Sequence, residues 1–284
     1  MNPCRLHLFA LGLTMSTIAP AASFKDHLGL QLWSLRVQSK ESVTGALAQT
    51  KVYGFTEVET AGPGDLTVEK FAGELRARDL KAVSSHFGYD ALKKDIAGAI
   101  KDAKTLGSKF IICPSLPHGK GGFDEAAARG IAREFNAWGE ACRAAGIRFG
   151  YHPHGFEFTP ASKSGDTVFD VLVRETRPEF VCFEMDVFWV FHAGQDPARL
   201  LAKYPDRWVL MHIKDIRKGA VTGLSTGSAP PTDNVTVGDG QIDWPSVLRT
   251  AEKIGVQHYF IEDETPTPLQ CIPASLKYLR ALKL

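Results

Sequence analysis

From Leu28 onward the chain alternates two patterns: short runs dense in β-branched and aromatic residues, and longer stretches in which apolar residues recur at helical spacing. The short runs predict strands at LGLQLWSL (28–35), GFTEVET (54–60), KAVSSHF (81–87), KFIICPS (109–115), IRFGYHPH (147–154), EFVCFEMD (179–186), WVLMHIKD (208–215) and HYFIEDE (258–264). Between them lie four amphipathic sets: Val68, Phe71, Ala72 and Leu75; Leu92, Ile96 and Ile100; Ile131, Phe135, Trp138 and Cys142; Trp244, Val247, Leu248, Ala251 and Ile254. Each would lay one apolar face on a sheet. Gly54, Gly146 and Gly255 stand where helices are expected to end in a left-handed residue, and Asp196-Pro197 and Asp243-Trp244-Pro245 where they begin. Eight strand–helix alternations without a break in composition predict a single-domain (β/α)8 TIM barrel. A doubly wound open sheet would want a glycine-rich turn after its first strand, and QLWSLRVQS has none.

The opening segment differs. Met1 to Arg5 carries one positive charge, LHLFALGLTMSTIAP is mostly apolar, and the small residues Ala19 and Ala21 follow. That three-part pattern predicts a secretory signal peptide over residues 1–22, a mature domain over 23–284, and an exported, periplasmic protein. The apolar run falls short of the roughly 20 residues a membrane span needs, so no membrane insertion of the mature chain is expected. Cys4 precedes that run and is not placed for lipid attachment; Cys113, Cys142, Cys182 and Cys271 form no CxxC pair and read as buried free thiols, with one disulfide open to an exported chain. Lys+Arg number 33 against 32 Asp+Glu, which leaves no field to attract nucleic acid and makes a small neutral ligand the better expectation.

Polar residues then interrupt the apolar runs in pairs two apart: Glu57 and Glu59, His152 and His154, Glu184 and Asp186, His212 and Lys214, Glu262 and Glu264. Residues i and i+2 share a strand face, and in a closed barrel one member of each pair would point into the mouth, where residues from different strands converge. Imidazoles and carboxylates gathered in a poorly solvated volume call for a divalent cation, and a His plus Asp/Glu set suits Mn, Zn, Fe or Co. The long segment Ile216–Ile242 follows the seventh strand and would lie over that same face.

On these stretches, from LGLQLWSLR through GFTEVETAG, GYHPHGFEF, EMDVFWV with HAGQDP, RWVLMHIKD and VGDGQIDW to FIEDE, the chain resembles the xylose isomerase-like TIM barrels, the sugar phosphate isomerase/epimerase family. The resemblance implies one divalent metal held by Asp186, His212 and Glu262 from strands six to eight. The fifth-strand position departs from the family: many members carry Glu there, whereas YHPH puts His152 in that place, with His154 a near rival. In the family's epimerases, two glutamates exchange protons beside a carbonyl polarised by the metal. With an imidazole at position five, one-sided chemistry is expected instead. The catalytic candidates are Glu262, His152 and Lys214; Glu59, His86 and His154 are candidates for binding substrate hydroxyls, and Trp33 and Trp189 for stacking on a sugar face.

The leading expectation is an isomerase or epimerase abstracting a proton next to a carbonyl in an unphosphorylated sugar or cyclitol. The first alternative is a lyase or dehydratase eliminating the C1 substituent of a 3-keto-glycoside. A second alternative, from another class, is an inactive periplasmic sugar-binding protein on an enzyme fold. A nuclease would want a basic surface that the charge balance does not offer. Self-association into a homo-oligomer is left open.

Overall fold

Eight parallel strands close on themselves in sequence order: β1 Leu28–Gln31, β2 Glu57–Thr60, β3 Lys81–His86, β4 Phe110–Cys113, β5 Arg148–Tyr151, β6 Val181–Asp186, β7 Trp208–Ile213 and β8 His258–Ile261. This computed structural model describes residues 23–118, 122–163 and 165–284. The expected signal peptide, with Cys4, lies outside the described residues. The barrel seam is the β1–β8 pair, which sets Gly29 beside Phe260.

The observed strands are shorter than the apolar runs. After β1, Leu32–Leu35 forms a 3-10 turn, because the Gln31 side chain accepts the Trp33 N–H at 2.9 Å and turns the chain. His152, His154, Lys214, Glu262 and Glu264 stand just beyond the ends of β5, β7 and β8 rather than inside them. Leu92, Ile96 and Ile100 fall on two helices, Tyr89–Lys94 and Ile96–Leu106: the Asp95 carboxylate accepts the Gly98 N–H at 2.8 Å and starts a new helix there. Gly54, Gly146 and Gly255 take positive φ as their positions required, and Asp196 and Asp243 cap the helices that follow them.

Packing divides the interior. Between sheet and helices lies one large core, while Val83, Phe110, Ile112, Cys182, Val209, Leu210 and Phe260 form a separate small cluster. Glycines make room for this second cluster: a Cβ on Gly29 would meet Phe260 Cδ1 at 2.7 Å, and one on Gly150 would meet Ile112 Cδ1 at 2.6 Å. Cys113, Cys142 and Cys182 are buried free thiols and Cys271 is half-buried and free. No helix among the described residues is long and apolar enough to cross a membrane.

In the Glu57–Glu59 pair, the member that faces away from the mouth is Glu57. It begins β2, and its carboxylate meets His258 Nδ1 at 2.7 Å and His27 Nδ1 at 3.4 Å, at the opposite end of the barrel.

The segment after β7 is more ordered than its composition suggests. Asp215–Ile216 pairs antiparallel with Asn234–Val235, and Pro231–Asp233 forms a 3-10 turn. Asp215 organises the rest: Oδ2 accepts from Gly238 N (2.9 Å), Gly240 N (3.3 Å) and Trp244 Nε1 (2.8 Å), and Oδ1 accepts from Ile216 N (2.8 Å) and Ile242 N (3.4 Å).

Two outcomes follow from this packing. Gly29→Ala overpacks the seam and should lower stability by about 1–3 kcal/mol, read as an earlier urea midpoint at unchanged m. Asp215→Asn removes charge from five hydrogen bonds, so trypsin should cut after the exposed Arg217 or Lys218 at least several-fold faster than in wild type, with the barrel core still resistant.

Candidate active site

At the C-terminal mouth, several buried atoms have no hydrogen-bond partner among the described residues, His152 Nε2, Asp186 Oδ2 and His212 Nδ1 among them. They face one another. His152 Nε2 lies 3.3 Å and His212 Nδ1 3.8 Å from Asp186 Oδ2, and Glu262 Oε2 lies 3.4 Å from His212 Nδ1. Asp186, His212 and Glu262 can each offer a ligand atom within 4.8 Å of the others. Unpaired buried polar atoms are costly, and three that converge beside the Glu262 carboxylate are an arrangement a cation would satisfy. The Asp186 carboxylate has a second tie, since Oδ1 accepts the Trp189 N–H at 3.0 Å and caps the Val187–His192 helix.

The opposite nitrogen of each imidazole is engaged from behind. His212 Nε2 meets Glu59 Oε1 at 2.6 Å, and His152 Nδ1 meets Glu184 Oε2 at 3.2 Å. Each carboxylate therefore fixes which ring nitrogen carries the proton and leaves the other nitrogen free to act as a donor atom, as carboxylate–histidine pairs do at metal sites. His86 Nε2 bridges the two carboxylates, 2.9 Å from Glu59 Oε1 and 3.1 Å from Glu184 Oε2, and Gln31 Nε2 donates to Glu59 Oε1 at 2.6 Å.

The charges show what the site lacks. Burial opposes charge on His86, but Glu59 and Glu184 outweigh it and lift this imidazole to about 9. Burial also opposes ionisation of Glu184, yet His212, His152 and His86 hold it well below the usual carboxylate range. For Asp186 and Glu262 burial is likewise overcome, with Lys214 the largest opposing influence. Four carboxylates no more than 8% exposed (Glu59, Glu184, Asp186, Glu262) thus surround the buried Lys214 ammonium and the imidazoles of His86, His152 and His212. His152 is raised as well, burial and the neighbouring His212 being overcome by Asp186 and Glu184. His212 is driven well above the ordinary imidazole range, burial being overcome by Glu184, Glu262 and Glu59; a divalent cation would balance the same carboxylates with His152 and His212 neutral. The residues present therefore fit such an ion.

Above these atoms opens a cavity of about 320 Å³ lined by His86, His152, His154, Lys214, Glu262, Glu264 and Trp33 among others. Lys214 Nζ is 3.1 Å from Glu262 Oε2, also pairs with Glu264, and sits 5.3 Å over the Trp189 ring. His154 stacks on His152 with centroids 4.6 Å apart, and its Nδ1 has no partner among the described residues. Burial, with His152 beside it, pushes His154 down to about 3.

Of the residues expected to touch substrate, His86, His154 and Trp33 reach this cavity. Glu59 does not: it is fully buried behind His212. Trp189 is also absent from the lining; it is 7% exposed and packs behind His154 and Lys214, so its ring supports the site rather than offering a sugar-stacking face. Between the rival fifth-strand histidines, the ring nitrogen beside Asp186 belongs to His152. Sequence reasoning missed Gln31 and the role of Glu184. Glu184 carried a signal, being two residues before Asp186 on one strand face, whereas nothing in LGLQLW marks Gln31. Glu157, in GFEF, is another buried carboxylate with a purpose: it accepts the His154 N–H at 3.1 Å and the Tyr151 hydroxyl, holding the turn that presents His154.

The chain is similar to several known proteins. Inosose dehydratase of Clostridium perfringens is 24% identical over 249 residues, covering 78% of this chain and 82% of that protein. A sugar phosphate isomerase/epimerase from Parabacteroides distasonis superposes with a TM-score of 0.73 at 25% identity, covering 90% of this chain and 98% of that one. An IOLI protein with a bound zinc atom shares the fold at 14% identity and a TM-score of 0.68, covering 89% and 96% of the two chains. The xylose isomerase-like TIM barrel model matches residues 47–282. By that match, which spans every strand but the first, the chain belongs to the xylose isomerase-like TIM barrel family.

Proposed function

We propose that this protein is a divalent-metal-dependent lyase that removes a proton next to the carbonyl of an unphosphorylated cyclic keto-sugar and expels a substituent from the adjacent carbon. The observation that carries the reading is the convergence of His152 Nε2, Asp186 Oδ2 and His212 Nδ1, all buried and unpartnered, with Glu262 at the floor of the cavity. These four residues would hold the ion, and the donor set suits Zn, Mn, Fe or Co. When bound, it supplies Lewis acidity toward a carbonyl oxygen.

The chain's own groups supply the rest. Glu262 lines the cavity and takes the proton; Lys214, 3.1 Å away, steadies its carboxylate and offers a cationic donor to developing negative charge on oxygen. His154 presents an unpartnered ring nitrogen for a substrate hydroxyl or the leaving oxygen. In a 3-keto-glycoside, the C2–H electrons form the C1=C2 double bond while C1–O breaks with its pair. The proton taken by Glu262 is returned to the leaving oxygen, so the products are an enone and an alcohol.

Isomerisation and epimerisation begin with the same proton removal. Elimination is favoured by the imidazoles that face Glu262 where a second glutamate would serve a symmetric exchange, and the relatives that are inosose dehydratases support the same choice. The lining also suits an unphosphorylated substrate: among the described residues it includes two carboxylates, Glu262 and Glu264, and no arginine, and its one lysine is paired with both. A chain with this leader would meet such a substrate after export to the periplasm, which is part of the proposal.

Three measurements test this. Elemental analysis should find one equivalent of metal in the wild type and none in Asp186→Ala; metal surviving that change would remove the site. Glu59→Gln should keep the fold but weaken metal affinity about 10–100-fold, because His212 loses the carboxylate that sets its tautomer. Glu262→Gln should slow C2 deuterium exchange into a 3-keto-glucoside by about 10²–10⁴-fold, and exchange at the wild-type rate would rule Glu262 out as the base.

A further inference from the structure

Beside the catalytic cavity lies a second one of about 360 Å³, between the connections that follow β1 and β2. The two share Trp33 and Ala61. Their linings differ in chemistry. Where the catalytic cavity is ringed by imidazoles and carboxylates, the outer one has an apolar floor of Leu32, Val43, Leu47 and Phe71, with Arg36, Lys40 and Asp65 at its edge.

Trp33 forms the wall between them. It is 46% exposed, an unusual state for an indole. It is held nonetheless: Nε1 donates to Glu264 Oε1 at 3.0 Å on the catalytic side, and the Arg36 guanidinium lies 5.4 Å over the ring on the outer side. Glu264 in turn pairs with Lys214. A group in the outer cavity would therefore rest on a ring fixed directly to the catalytic ion-pair network.

We propose that the outer cavity is the leaving-group subsite, and that it takes a flat, apolar aglycone, such as an aryl group, attached to the keto-sugar in the catalytic cavity. This rests on the lyase reading and deepens it by naming a two-part substrate. A single polar ring has no use for a floor of leucine, valine and phenylalanine, whereas a keto-sugar joined to an aromatic ring matches the succession of a polar cavity, an indole wall and an apolar cavity. Sites that take small organic ligands combine an apolar lining with few placed polar groups in this way.

The test compares 4-nitrophenyl 3-keto-β-glucoside with methyl 3-keto-β-glucoside in the wild type and in Ser39→Phe, whose new ring would fill the outer cavity from its lining helix. The wild type should prefer the aryl substrate on the order of 10–100-fold in kcat/KM, and Ser39→Phe should abolish that preference by raising KM for the aryl substrate alone. Equal use of both substrates by the wild type, or an equal loss on both in the variant, would overturn the subsite. Calorimetric binding of the unoxidised 4-nitrophenyl β-glucoside reads the subsite without turnover. Tighter binding than methyl β-glucoside, lost in Ser39→Phe, sustains the subsite even if neither keto-sugar reacts, in which case the lyase reading alone fails; indifference to both changes sinks the subsite even where elimination is observed.

Discussion

The mouth of the barrel depends on two carboxylates that never reach its cavity. Glu59 and Glu184 are fully buried, and a buried carboxylate is tolerable only when paired and hydrogen-bonded. Here the partners are imidazoles: His212 and His86 on Glu59, and His152, His86 and His212 around Glu184. The pairings of His152 and His212 direct a ring nitrogen of each toward Asp186. The orientation of the candidate ligands is thus set from underneath, by groups that are themselves held in place by His86 and Gln31.

Barrel layering lets so polar a network exist. The inward side of the sheet changes character with depth: imidazoles and carboxylates at the mouth, then the plug of Phe110, Ile112, Leu210 and Phe260, then His27, Glu57 and His258 at the far end. Phe260 touches both worlds, edge-on to His212 at 6.5 Å and stacked with His258 at 6.4 Å. The apolar layer keeps the two ionic clusters apart in a low-dielectric medium, and Gly29 and Gly150 let its large side chains meet across the axis.

The barrel was legible because its evidence is repetitive. Eight apolar runs separated by helical periods left few alternatives, and helix ends at Gly146 and Asp243 are chemical signals that survive without a structure. Candidate site residues were legible as a set, because pairs at i and i+2 on successive strands must meet in a closed barrel. Their depth was not. Glu57 and Glu59 differ by one inward step yet lie in different clusters at opposite ends, and Glu262 could be placed in the cavity but Glu59 could not be placed behind it. Depth depends on strand stagger, which the register shift at Val58/Glu59 alters locally and which no residue type announces. Trp189 and Trp33 show the same limit: both are aromatic residues following strands, and only packing makes one a buttress and the other a wall.

The aspartate that closes VLMHIKD belongs to a different layer from the histidine and lysine before it. His212 and Lys214 point to the mouth, while Asp215 gathers the backbone of the 216–242 segment and the indole of Trp244. Loop order and site chemistry are thereby set by near neighbours in sequence through different side chains. Such an arrangement separates two mechanical problems: the amides that grip Asp215 hold the 216–242 segment, while the carboxylates of Glu59, Glu262 and Glu264 hold the two reactive side chains before it.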